Sequence, residues 1–119
     1  MDLRECYISM DGDYDAVMGR LRSEERVTKF LGLFRADESF QNLTVAMDAA
    51  DWPTAFRAAH SLKGVALNLA LTALAQSSSE LTECLRPGTP AEDPAPLYAA
   101  VRADYEKTIA AIAVLKSQA

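Results

Sequence analysis

The sequence predicts an all-α protein, an antiparallel four-helix bundle with additional short helices at its N-terminus. Three observations predict it. Alanine (21) and leucine (14) far outnumber valine (6) and isoleucine (3) among 119 residues, a composition that favours helix over strand. Apolar residues recur at spacings of three and four in one segment after another. Prolines are confined to position 53 and to the stretch 87–96, which leaves long uninterrupted runs free to be helical.

Taken in order, Met1 to Gly12 reads as a short helix or arm that ends at the turn signal Asp11-Gly12-Asp13. A second helix runs from Asp13 to about Leu21. Ser23 is the expected N-cap of a third, with Glu24 and Glu25 at its positive end and Val27, Phe30, Leu31 and Phe34 on its apolar stripe. Asp37 or Glu38 opens the next, on which Phe40, Leu43, Ala46, Met47 and Ala50 share a face. Asp51 then caps a fresh start, because Pro53 is tolerated only in a first turn. A single helix from Trp52 to Arg86 would be ~50 Å long, so a break is expected at Asn68 to Thr72, with Thr72 as the following cap. Arg86 to Pro96 holds four prolines and Gly88 and reads as a loop. The last helix, Leu97 to about Ser117, carries Val101, Tyr105, Thr108, Ile112 and Leu115 on one face. One domain over 1–119 is expected, with a bundle core at about 37–117 and a helical arm at about 1–36.

Net charge excludes some functions. Seventeen acids against twelve Lys and Arg give −5, the wrong sign for tracking nucleic-acid phosphates. The longest apolar stretch, Val65 to Ala75, is about half a membrane span. That stretch excludes a membrane partner, and the N-terminus has no apolar signal-peptide core, so a cytoplasmic location is expected; Met1 favours a free-standing protein, and a monomer is expected. Cys6 and Cys84, far apart and with one histidine in the chain, form no zinc pattern and read as small buried hydrophobes. No cofactor is expected.

One window stands out. One residue in seven is acidic, yet Trp52 to Ser79 contains no Asp or Glu, and it holds the only histidine, His60, between Arg57 and Lys63. On the helical wheel Ala55, Ala58, Ala59, Leu62, Val65, Ala66 and Leu69 form the core stripe, while His60 projects about 160° from Leu62. Phe56 and Leu67 lie within about 40° of His60 and should be largely exposed beside it, a face suited to docking a partner. Gly64 costs about 1 kcal/mol relative to Ala inside a helix, and close approach of another molecule would account for it. Imidazole, with a reference pKa of about 6.5, is largely neutral and nucleophilic at pH 7 and can accept a phosphoryl group. Lys63 would then offset the phosphoryl charge. A bland alternative is a helical adaptor that binds its partner without any transfer.

Ala59-His60-Ser61-Leu62-Lys63-Gly64 resembles the H-x-x-K-G signature of histidine-containing phosphotransfer domains of multistep phosphorelays. The approach Asp48-Ala49-Ala50-Asp51-Trp52 and the layout from Asp11 to about Leu85 are similar to that family as well. The resemblance implies that His60 is the phosphorylated residue, with Lys63 its charge partner and Gly64 its clearance. It also implies a carrier without kinase activity, whose partner is a receiver-domain aspartate supplying the metal and most of the machinery. Two positions depart from the pattern. Ala70 stands where the family usually has Gly. Thr82 stands where many members carry a Gln or Glu that hydrogen-bonds the imidazole; Thr82 is the candidate for that bond, and Glu83 is expected to point elsewhere.

Overall fold

The computed structural model describes residues 1–117, so the last two positions of the expected domain lie outside the described residues. Among the described residues the chain forms helices α1 (Leu3–Ser9), α2 (Tyr14–Leu21), α3 (Glu24–Phe34), α4 (Ser39–Asp48), α5 (Trp52–Asn68), α6 (Thr72–Leu85) and α7 (Ala95–Ser117), with no strand. The expected all-α class is observed. Helix α5 packs on both α4 and α6, and α6 packs on α7, with connections so short at 49–51 and 69–71 that neighbours must run antiparallel. The bundle closes through aromatic side chains: the Phe40 ring stacks on Tyr105 at 4.1 Å and on Tyr98 at 6.2 Å, and the Thr44 and Tyr98 hydroxyls lie 2.7 Å apart.

Local chemistry sets the helix starts. Asp2, Asp13, Ser23 and Asp51 each accept a hydrogen bond from a backbone N–H three residues on, satisfying a donor that the helix itself leaves open. Asp2 and Glu5 complete a reciprocal capping box. The Asp51 carboxyl is held below the ordinary Asp value by its hydrogen bonds with Thr54. At the α5–α6 break the expectation of Thr72 as a cap is corrected: Leu71 occupies the N-cap position with no side-chain bond, and Thr72 is already helical. The loop after α6 is also shorter than expected, because Pro96 sits in the first turn of α7, where its missing N–H costs nothing.

A second layer braces the α5–α6 turn. Ala70 has φ 54°, the left-handed conformation that Gly would adopt freely. The Asp13 N–H donates to the Ala70 carbonyl (2.8 Å), the Ala73 N–H donates to the Asp11 carbonyl (3.2 Å), and the buried Tyr7 hydroxyl donates to the Leu69 carbonyl (2.8 Å). A Cβ at Gly12 would lie 2.8 Å from the Tyr7 ring and 3.0 Å from the Ala70 oxygen, so the two turns approach closely only because residue 12 is glycine. Asp11 is tied to α7 by Lys107.

The buried core includes Leu31, Leu43, Leu62, Leu74, Leu81, Leu85, Val101 and Ile112, together with Leu3, Tyr7 and Met10 from the N-terminal segment. Cys6 and Cys84 are both buried and unpaired, and burial pushes the Cys6 thiol up to about 11. Two expected core positions are not core. Phe30 is 41% exposed beside a groove with Leu33 and Asn68, and Ala50 lies past the end of α4 in a left-handed, exposed conformation.

Candidate functional site

The central stretch of α5 presents His60. Ala55, Ala58, Ala59, Leu62, Ala66 and Leu69 are buried, which fixes the rotation of the helix and leaves His60, Gly64 and Leu67 on its outer side, Leu67 being 51% exposed. Arg57 is exposed and donates to the Thr54 hydroxyl one turn back. Lys63 is half-buried and borders a groove with Leu67, Gln76 and Ser79, between α5 and α6. An added Cβ on Gly64 would meet no atom within 4 Å, so this glycine serves no helix packing within the chain. Its backbone is open to an outside molecule.

Phe56 corrects an expectation. It is half-buried rather than largely exposed, because its ring packs on the core with its face parallel to the imidazole at 6.0 Å between centroids. On Phe56 lies a residue that wheel geometry on α5 alone does not reach: the Arg86 guanidinium carbon is 5.2 Å from the ring centroid. Arg86, in turn, forms a two-pronged pair with Glu83, at 3.0 Å and 2.6 Å.

The expectation for Thr82 is corrected as well. Thr82 is fully buried and donates its hydroxyl hydrogen to the Ser78 carbonyl, which spends its one donor inside α6 and away from the exposed imidazole. The neighbouring Glu83, expected to point elsewhere, faces α5. Its carboxyl is held below the usual Glu range first by the Arg86 hydrogen bond and also by the charges of Arg86 and Lys63. One residue of phase on α6 separates the two outcomes. The signal available in the sequence was the E-x-x-R spacing of Glu83 and Arg86, an i, i+3 pair at a helix end.

The arrangement is thus an exposed imidazole flanked by apolar Phe56 and Leu67, with the cations Arg57, Lys63 and Arg86 around them and bare backbone one turn on. Among the described residues no group of His, Cys, Asp and Glu is placed to hold a metal ion, and no helix is long and apolar enough to cross a membrane. Comparison with curated proteins and with solved structures gives no significant match. The family model of the Hpt domain, however, matches residues 31–112, more than half of the chain and the whole stretch from the end of α3 to the buried Ile112 of α7. The chain therefore belongs to the Hpt domain family, the histidine phosphotransfer domains of two-component signalling.

Proposed function

We propose that this chain carries a phosphoryl group on His60 between receiver-domain aspartates of a cytoplasmic multistep phosphorelay, as a monomeric carrier with no kinase activity of its own. The observation that carries the reading is the exposure of the only imidazole, followed one turn later by a glycine that the chain's own packing does not require. In the transfer a ring nitrogen of His60 forms an N–P bond while the P–O bond to the receiver's aspartate breaks. The electron pair leaves with that carboxylate, and the imidazole keeps its proton on the other nitrogen. Lys63 offsets charge on the phosphoryl oxygens. Phe56, Arg57 and Leu67 form the docking face, with Gly64 as the point of closest approach. The acid-free surface of α5 suits a receiver whose aspartyl pocket is acidic.

The test is incubation with a panel of phosphorylated receivers. Label should appear on the parent protein, stable to base and labile to acid, and should vanish in His60→Gln while the helical circular-dichroism spectrum is retained. Receiver binding without label on the parent would establish the adaptor reading instead.

A further inference from the structure

Beside Phe56 the structure places an ion pair, Arg86 with Glu83, that the reaction just described does not use. The Arg86 guanidinium carbon lies 5.2 Å from the Phe56 ring centroid and the His60 imidazole 6.0 Å from it, so the two groups share one aromatic neighbour. Arg86 is the C-cap residue of α6, at the mouth of the 87–94 loop, where its side chain is 54% exposed and has room to turn. Its partner Glu83 is equally exposed, at 57%. An exposed ion pair of this kind holds its members weakly, and a phosphoryl group with nearly two negative charges and three acceptor oxygens is a better partner for a guanidinium than one carboxylate. Glu83 also lies in the field of Lys63, the field into which a phosphoryl group on His60 would bring its own charge.

We propose that Arg86 is a phosphoryl-binding residue held in reserve by Glu83. When His60 carries the phosphoryl group, the guanidinium leaves the Glu83 carboxylate and takes two phosphoryl oxygens, completing with Lys63 a two-cation clamp. Glu83 has two effects in this scheme. It parks Arg86 over Phe56 in the empty protein, and its negative charge opposes the loaded state, which keeps the phosphoryl group transferable. The proposal rests on His60 as the phosphorylated residue.

The test separates the clamp from the relay. Phosphoramidate phosphorylates exposed imidazoles with no receiver present: the ring nitrogen forms the N–P bond as the reagent's own P–N bond breaks and ammonia leaves. In the full chain, loading the single histidine in this way should shift the Arg86 Nε–H resonance, which in the unloaded protein reports the bond to Glu83. The phosphoryl resonance in the phosphorus spectrum should differ between parent and Arg86→Gln and be partly restored in Arg86→Lys. In exchange with a phosphorylated receiver, the loaded fraction at equilibrium should fall about threefold in Arg86→Gln and rise by a similar factor in Glu83→Gln, the range expected of exposed charges. Both variants should keep the parent's thermal midpoint. An Arg86 resonance unmoved by loading overturns the clamp, whatever the receivers do. A moved resonance in a protein that no receiver loads supports the clamp and overturns the relay.

Discussion

Ala70 holds φ 54° with a Cβ attached, a conformation that costs an L-residue about 1 kcal/mol relative to glycine. The carbonyl of that residue accepts the Asp13 N–H, and the flanking Leu69 carbonyl accepts the Tyr7 hydroxyl, so the strain is held in place by bonds from another part of the chain. Ala70→Gly keeps every one of these bonds and should stabilise the protein by up to about 1 kcal/mol in urea unfolding, with some of the gain offset by the greater freedom of glycine in the unfolded chain. A lower urea midpoint would show that the Ala70 methyl contributes more by packing than its conformation costs. At this scale the sequence was legible wherever one helix decides the matter. The wheel of α5 separated buried Leu62 from exposed Leu67. Thr82 and Glu83 were not legible, because which of two adjacent residues on α6 faces His60 depends on the rotation of one helix against another, and periodicity along a single helix does not contain it. Phe56 was misjudged for the same reason: its ring packs on the core, and the cation beside it is the C-cap residue of α6.

Helix boundaries follow side-chain chemistry that can be read in advance when a cap is polar. Ser23 and Asp51 stand at their expected N-caps and Asp13, expected as the start of α2, caps it, whereas Leu71 caps α6 by position alone, and a leucine gives no such signal. The Asp51 cap carries a pH dependence. Its folded-state carboxyl is lowered by the hydrogen bonds with Thr54, so ionised Asp51 stabilises α5 fully above the unfolded Asp value of about 3.9. That contribution is lost as pH falls through the lower, folded-state value. Asp51→Ala should therefore destabilise the protein at pH 7, and the gap to the parent should narrow as pH drops below about 4. Asp51→Asn keeps the acceptor without the charge, so its own cap contribution should be flat across that range. Thermal midpoints of the three proteins from pH 7 down to pH 3 check this; a gap between parent and alanine variant that widens in acid would contradict the role of the ionised cap.

On the scale of the molecule, the family match begins at residue 31, yet the helices before it are not an appendage to the bundle. Leu3, Cys6, Tyr7 and Met10 are all at most 4% exposed and belong to the same buried cluster as Leu62, Leu85 and Ile112. Helix α1 lies against α7, and the turn at 11–13 is bonded to the turn that separates the histidine helix from α6. The N-terminal segment thus braces the turn where α5 ends and α6 leaves it, and the course of α6 is what sets Arg86 over Phe56. Composition and spacing pointed to a short helix here, but its burial was hidden in contacts 62 residues apart, such as Tyr7 with Leu69. Tyr7→Phe removes one buried donor and leaves the Leu69 carbonyl unpaired, which should cost about 1 to 2 kcal/mol in urea unfolding with the slope unchanged. Removal of residues 1–12 goes further, because burying a side chain of the size of Leu3 or Met10 contributes about 1.5 to 3 kcal/mol each against a total stability that seldom exceeds ~15 kcal/mol. The shortened chain should lose most of its stability, and the loss should appear together in the helical circular-dichroism signal and in the fluorescence of Trp52, the first residue of the histidine helix. If the shortened chain instead unfolds at the parent's midpoint, the segment lies on the bundle without supporting it, and the bundle alone orients the face around His60.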